Sequence, residues 1–168
     1  MAVGLTSSVT IGFVLGLFRG SVFSKLDSIK GKMDMIKRSY VVTLLSVLGL
    51  AGCGIKGAAN LVGGNSNAIL ALITLFSGMI ASTVSFQFYQ FPNLVSSTVF
   101  PENSAVALSL TDAVGFLVTA GVMGLNSRVL GDFGWCASWG FLAMVFAIAS
   151  FSMTKAVQPV LIQSMKKN

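Results

Sequence analysis

Three ionisable residues stand inside or beside long apolar stretches of this sequence, namely Arg19, Lys56 and Asp112. A charged group is costly in a bilayer, so such residues usually face a cavity or a partner. Arg19 and Lys56 lie within about two turns of a predicted helix end, so either side chain could instead reach the membrane surface. We expect Asp112 to face a polar cavity or a cation, unless its helix begins further along. Arg19 is suited to an anion, because its guanidinium donates several charge-assisted hydrogen bonds.

Hydroxyl and amide side chains are concentrated at the end of the third apolar stretch. At helical spacing they form two stripes, and polar groups in a membrane helix hydrogen-bond either a solute or a neighbouring helix. Both interpretations remain open at this stage. One stripe is Ser82, Ser85 and Tyr89, and the other is Thr83, Gln87 and Gln90.

The composition is that of a membrane protein. Hydrophobic residues make up 54% of the 168 residues and charged residues only 10%, whereas soluble domains carry about 25% charged residues. These values exclude an ordinary soluble enzyme and a disordered chain. The absence of histidine excludes His-bound haem or zinc, a Ser-His-Asp site and a histidine pH switch. Cys53 and Cys136 are too few for a Cys₄ site, so we expect no metal and no cofactor. Enzymatic activity is not expected either, because Asp112 has no evident acid/base partner within the membrane.

Two further ligand classes are disfavoured. The run from Gly52 to Gly57 spells G-x-G-x-x-G, but the dinucleotide fingerprint needs an acidic residue about 20 positions on. The next acidic residue is Glu102, so a glycine-rich membrane helix is the better interpretation. Nucleic acid is also excluded as a partner, because the aromatic residues lie in apolar runs away from the basic cluster.

The apolar stretches predict an all-α bundle of about five transmembrane helices. About 20 mainly apolar residues cross the hydrocarbon core. A turn from Gly63 to Asn67 separates the second stretch from the third. The prolines, Pro92, Pro101 and Pro159, are expected at or beyond helix ends, where a missing N–H costs least. The predicted spans A to E cover residues 3–23, 39–62, 67–89, 104–125 and 133–155.

The basic residues predict an orientation. They are concentrated in the predicted loop 24–38 and near the C-terminus, and cytoplasmic loops carry the excess of Lys and Arg. Both regions are therefore expected on the cytoplasmic side of an integral membrane protein, with the N-terminus on the opposite side. The residues concerned are Lys25, Lys30, Lys32, Lys37 and Arg38 in the loop, and Lys155, Lys166 and Lys167 near the C-terminus.

Small residues recur every four positions on two of the predicted helices. Gly12, Gly16 and Gly20 share one face of span A, whereas Gly49, Cys53 and Gly57 share one face of span B. Small residues at this spacing allow membrane helices to approach closely. The stripes therefore predict helix–helix contacts, the alternative being the general tolerance of glycine in membrane helices.

The first of three motifs resembles part of the C-terminal half of a major facilitator superfamily transporter. The sequence from Gly20 through Ser24 and Lys25 to Gly31 and Lys32 is similar to the family's G-x-x-x-D-[RK]-x-G-[RK] loop motif. Ser24 replaces the Asp and the gap before Gly31 is longer than usual. The charge latch that this Asp forms in the family is therefore not implied here.

The other two motifs lie further along the chain. The sequence from Pro101 to Phe116 is similar to the entry into helix eleven of the family. Asp112 and Gly115 stand where sugar-phosphate and glycerol-3-phosphate exchangers often have similar residues. The sequence from Arg128 to Trp135 is similar to the short external loop before the last helix.

The resemblance would make spans A to E helices eight to twelve of such a transporter. It implies that A, C and D line a solute cavity, that B and E face lipid, and that transport proceeds by alternating access. It also implies a partner that supplies the other half, so we expect the chain not to transport alone. The solute would be small and polar or anionic. The candidate solute-binding residues are Arg19, Gln87, Tyr89, Gln90 and Asp112.

A small structural subunit of a larger membrane complex is the alternative function. Its glycine stripes would then serve as packing faces. Because span A follows Met1 almost at once, we expect either the later part of a longer protein or a subunit that packs against partners. A polar groove shared by A, C and D would favour transport, and a dry surface throughout would favour the subunit.

Overall fold

In this computed structural model the described residues are 2–55, 60 and 63–166, and they are almost entirely helical. The described residues form four α-helices, each long and apolar enough to cross a membrane, which confirms the predicted all-α fold and the presence of helices suited to span a bilayer. A 3₁₀ turn, Pro101–Asn103, links the last two. The helices are α1 (Ala2–Ser24), α2 (Ile29–Cys53), α3 (Ser66–Val99) and α4 (Ser104–Lys166).

The start of α2 differs from the prediction. The prediction of a loop over residues 24–38 is wrong, because α2 begins at Ile29 and only residues 25–28 connect it to α1. Ser28 caps the helix in an extended conformation, and its Oγ accepts a hydrogen bond from the Gly31 amide at 3.4 Å. Most of the basic residues of this region therefore lie on the first turns of a helix.

The expected position of the prolines is wrong for two of the three. Pro92 lies inside α3 and Pro159 inside α4, whereas Pro101 begins the 3₁₀ turn. Proline interrupts the helical ladder, but membrane helices tolerate it where side chains bond the carbonyls nearby. In α3 the Asn93 side chain donates to the Tyr89 carbonyl at 2.9 Å, next to the Phe88 carbonyl that Pro92 leaves without its helical N–H donor.

The predicted loop between spans D and E is also wrong. Residues 126–132 are helical, and α4 is interrupted instead at Gly134, whose φ of 82° favours glycine. The Ser138 hydroxyl nevertheless lies 3.0 Å from Asn126 Oδ1, although residues 12 apart on a straight helix are separated by about 18 Å. Gly134 therefore turns α4 back on itself. We call residues 104–133 the N-terminal arm and residues 135–166 the C-terminal arm.

The glycine stripe of α1 forms the contact with α3, which confirms its predicted role. Gly12, Gly16 and Gly20 are all buried. A Cβ at Gly12 would collide with the Gly78 carbonyl oxygen, and one at Gly16 with the Ser85 hydroxyl. Only glycine at these positions lets the two helices lie this close.

The second stripe is confirmed in part. A Cβ at Gly49 would come within 2.6 Å of the Phe76 ring of α3, so Gly49 is a close packing position. Cys53 is half-buried at the end of α2, and its thiol is free. Gly57 lies outside the described residues, as does Lys56.

The C-terminal arm of α4 runs antiparallel to α2. The Trp135 indole N–H donates to the Leu50 carbonyl at 2.8 Å, near the end of α2. At the other end of the arm, Val157 and Leu161 join a buried cluster with Phe23 of α1 and residues of α2 and α3. The arm thus follows α2 from its last turn to its first.

The buried cluster lies at the end of the bundle that carries the basic residues. Edge-to-face contacts connect its aromatic rings, for example between Phe23 and Phe86 at 5.4 Å. Large side chains pack the helices against one another at this end. The cluster consists of Phe23, Met33, Ile36, Tyr40, Phe86, Phe91, Val157 and Leu161.

Replacing Trp135 should measure the link between the turn of α4 and the end of α2. We expect Trp135→Phe to lower the free energy of unfolding by about 1 kcal/mol, because the Leu50 carbonyl loses its indole donor. Unfolding in mixed detergent micelles provides the measurement. Trp139→Phe is the control, since no hydrogen bond of its indole is found in the described part of the chain. Equal losses in both variants would show that ring size alone matters.

Candidate solute-binding site

A cavity of about 530 Å³ lies between α1, α2 and α3. Its lining is mainly apolar, with a guanidinium and several hydroxyls as the polar groups. No acidic residue stands among the described residues that line it. The polar lining residues are Arg19, Ser7, Ser8, Ser82 and Thr83.

Arg19 is held at this cavity by two contacts. Its Nη2 donates to Ser39 Oγ at 2.8 Å, and its guanidinium carbon lies 5.7 Å from the centre of the Phe86 ring. Ser39 can accept this bond because its own hydroxyl proton goes to the Met35 carbonyl at 2.8 Å. The contacts orient the side chain across α2 and α3.

The guanidinium has unused capacity for binding. It carries five N–H donors, and the bond to Ser39 is the one hydrogen bond found for it in the described part of the chain. No carboxylate of the described residues pairs with it. A half-buried cation without a counter-ion, beside a cavity free of acidic groups, is suited to an anion.

A row of buried hydroxyls follows the face of α2 that carries Ser39. The Thr43 hydroxyl lies 2.9 Å from the Ser39 carbonyl and also hydrogen-bonds the Thr83 hydroxyl, which joins α2 to α3. Ser39, Thr43 and Ser46 follow one face of α2 and are each at most 1% exposed. Their bonds to carbonyls one turn earlier satisfy them in an apolar environment.

Tyr89 lies in a different cavity. This second cavity, of about 420 Å³, is bounded by α1, α3, Leu50 of α2 and Trp139 of α4, and it is almost wholly apolar. The Tyr89 ring meets the Phe13 ring edge-on at 5.9 Å. Ser85 lines this cavity as well, whereas Ser82 lines the cavity of Arg19. The residues of the predicted stripe Ser82, Ser85 and Tyr89 are therefore divided between two cavities, which α1 separates.

The three other predicted residues line neither of these cavities. Gln90 packs against Gly20, where an added Cβ would collide with its Nε2. Gln87 has a buried Nε2 without a hydrogen-bond partner. Asp112 is half-buried on the N-terminal arm of α4 and forms no ion pair with another described residue. The structure therefore brings Arg19 to a cavity but does not gather the five candidates into one site.

The helices around the cavity also differ from the expectation. Spans A, C and D were expected to line it, whereas α1, α2 and α3 do so. Sequence reasoning missed Ser39 and Thr43, because span B was expected to face lipid. The sequence did contain a pattern that indicates these residues. Ser39, Thr43 and Ser46 are spaced by four and three positions, which places three polar side chains on one helix face.

No family model matches this chain, and neither a curated protein nor a solved structure is significantly similar to it. The site must therefore be interpreted from its own chemistry. A single guanidinium with hydroxyls nearby can bind and orient a carboxylate or a phosphate ester.

Proposed function

We propose that this protein is the membrane-embedded part of a secondary transporter for a small anionic solute, which binds in the cavity at Arg19. The observation that carries the proposal is the guanidinium without a counter-ion among the described residues, at an open cavity formed by α1, α2 and α3. An anion would supply the missing charge, and the hydroxyl of Ser82 would contact its polar atoms. Movement of the surrounding helices would expose the cavity to each side of the membrane in turn.

The chain presents a large uncovered surface that fits a role within an assembly. No residue of the N-terminal arm of α4 is buried, and Phe116 and Leu117 are 66% and 75% exposed. Lipid or other membrane helices would cover this arm. We therefore place the protein beside a partner that completes the transport path, as the C-terminal half of a major facilitator transporter lies beside its N-terminal half. Alone, the chain is not expected to transport.

The geometry of α4 supports five membrane crossings. Its N-terminal arm begins beside the end of α3, where Val106 and Val95 line one cleft. It turns at Gly134 near the end of α2 and returns to the level of Phe23. Each arm would then cross once, with the C-terminus and the start of α2 on the cytoplasmic side.

Thiol labelling should test this topology. Cys136 is exposed and lies two residues beyond the turn, so we expect an impermeant maleimide to label it from outside intact cells in a Cys53→Ala background. The control is Asp27→Cys in a variant without other cysteines, because Asp27 lies in the connection from α1 to α2. This thiol should react only after the cells are permeabilised. Labelling of both thiols from the same side would contradict five crossings.

A panel of anions should test the proposed binding. We expect at least one small carboxylate or phosphate ester to raise the unfolding midpoint of the purified protein in detergent, because ligands that bind only the folded state stabilise it. At 100 times its Kd the stabilisation would be about 2.7 kcal/mol. A neutral analogue of the same size serves as the control for each anion. If no anion exceeds its neutral analogue, the proposal fails.

A structural subunit is the second candidate, and the N-terminal arm of α4 favours it. Gly121 and Gly124 on this arm have nothing within 4 Å of an added Cβ, so they present an open small-residue surface. Such a surface suits close docking of another membrane helix. The anion panel distinguishes the two candidates. A transporter is expected to be stabilised by at least one anion, whereas a purely structural subunit is not expected to bind a solute at Arg19.

A further inference from the structure

A cleft separate from the Arg19 cavity gathers basic residues at one end of the bundle. It lies between α2 and the C-terminal arm of α4 and holds about 660 Å³. Lys30 and Lys37 are seven residues apart on α2, so they share a helix face, and Lys155 stands opposite them on α4. Asp34 is the one carboxylate among the described lining residues, which leaves three positive charges against one negative.

The charges of this cleft are not paired internally. No ion pair joins Asp34 to any lysine within the described part of the chain. The Lys155 ammonium lies 5.7 Å from the centre of the Phe151 ring, and Lys30 and Lys37 are exposed. Thr154 and Gln158 add a hydroxyl and an amide to the lining. At least two negative charges are needed to neutralise the cleft, and each phosphomonoester group of a ligand supplies about that number.

In a bilayer the cleft would lie at the depth of lipid headgroups. Residues 135 and 155 are 20 positions apart on the C-terminal arm, which corresponds to about 30 Å, the thickness of the hydrocarbon core. Tryptophan is enriched at membrane interfaces, so Trp135 marks one interface and Lys155 the other. Ile29 and Met33 form the apolar part of the cleft.

Two exposed apolar rows lead from the cleft toward the middle of the membrane. On α4, Phe151 and Ile148 lie four and seven residues before Lys155 and are 68% and 63% exposed. On α2, Val41 and Leu45 lie four and eight residues after Lys37 and are 56% and 62% exposed. These rows share helix faces with the lysines. Acyl chains could lie along them, which favours a lipid over a soluble phosphate.

We propose that the cleft of Lys30, Lys37 and Lys155 binds the headgroup of an anionic lipid that carries phosphomonoester groups, such as a phosphoinositide. The lysines bind the phosphates and the apolar rows accommodate the acyl chains. Basic clefts between membrane helices on the cytoplasmic side bind lipids of this class. The proposal is independent of any solute in the Arg19 cavity, because the two sites share no residue.

Native mass spectrometry of the full chain in detergent would test this site. The probes are a dioleoyl phosphatidylinositol bisphosphate, dioleoyl phosphatidylserine, dioleoyl phosphatidylcholine and soluble inositol trisphosphate. We expect the bisphosphate lipid to bind at least about tenfold more tightly than the other two lipids and than the soluble headgroup. Equal binding of the three lipids would overturn the proposal. If inositol trisphosphate bound as tightly as the bisphosphate lipid, the ligand would be a soluble phosphate rather than a lipid, which would overturn the proposal.

Variants that remove equal charge distinguish binding in the cleft from nonspecific electrostatic attraction of the lipid to the protein. The triple variant Lys30→Gln, Lys37→Gln, Lys155→Gln should lose at least about tenfold in affinity for the bisphosphate lipid. The control triple variant Lys25→Gln, Lys32→Gln, Arg38→Gln removes the same charge outside the cleft and should lose less than about threefold. Equal losses in the two triples would overturn the site.

One variant should improve binding, which a folding defect cannot imitate. Asp34→Asn removes the carboxylate of the cleft and should tighten the bisphosphate lipid by about threefold or more. Binding that is unchanged or weaker in this variant would contradict the electrostatic account of the cleft.

Discussion

Gly12→Ala is expected to destabilise the protein by about 1–3 kcal/mol, the usual cost of forcing an extra methyl group into a filled contact. The new Cβ would collide with the Gly78 carbonyl oxygen and stand 3.1 Å from the Ala81 Cβ. Both obstacles belong to α3 and sit at its backbone, so no flexible side chain can yield. The helices would have to separate, which would also weaken the contacts at Gly16 and Gly20.

The control for this prediction is Gly4→Ala on the same helix. Nothing lies within 4 Å of a Cβ at Gly4, and alanine is a better helix former than glycine. We expect this variant to be neutral or slightly more stable. The measurement is the free energy of unfolding in mixed micelles for both variants. A Gly12→Ala protein as stable as the Gly4→Ala protein would show that α1 and α3 are not in close contact.

Arg19→Gln is expected to weaken the binding of the stabilising anion by at least about tenfold. The variant removes the positive charge from the cavity, and hydrogen bonds to charged groups contribute about 1.5–3 kcal/mol. Arg19→Lys should bind with intermediate affinity, because it keeps the charge but loses the planar fork of donors. The affinities can be measured by isothermal titration of each purified protein in detergent.

Arg128→Gln is the matched control for this loss. Arg128 is exposed on α4 and lines neither cavity, so its removal changes the net charge by the same amount. We expect this variant to bind the anion as the unmodified protein does. A comparable loss in both variants would attribute the effect to overall charge rather than to the cavity.

The membrane character and the α1–α3 contact could be predicted because both depend on local pattern. Hydropathy needs only a run of apolar residues, and the stripe of Gly12, Gly16 and Gly20 needs only helical periodicity. The partner of that stripe could not be predicted. It depends on Gly78 and Ser85 lying opposite, which is a property of the folded bundle.

Helix ends were predicted poorly because membrane helices extend beyond their apolar parts. Lys30 to Arg38 are polar enough to suggest a loop, yet the Ser28 cap starts α2 before them. Pro92 and Pro159 suggested helix ends, but both helices continue past them. At Gly134 one glycine with positive φ accomplishes the reversal for which a longer loop was expected.

The candidate site could be predicted only at Arg19. A lone arginine in an apolar helix already indicates a cavity or a partner. Its surroundings could not be inferred, because Ser39 of α2 and Phe86 of α3 are distant in sequence. The structure places Gln90 against Gly20 of α1, Tyr89 at a second cavity and Asp112 on the N-terminal arm of α4, so these residues do not lie at the Arg19 cavity.

The most direct test of the central claim is nuclear magnetic resonance of the protein labelled with ¹⁵N-arginine. The chain has three arginines, Arg19, Arg38 and Arg128, so three guanidinium Nε signals are expected and single variants can assign them. On titration with the stabilising anion, we predict a saturable shift of the Arg19 signal while the other two stay in place. A static Arg19 signal, or equal movement of all three, would contradict an anion site at Arg19.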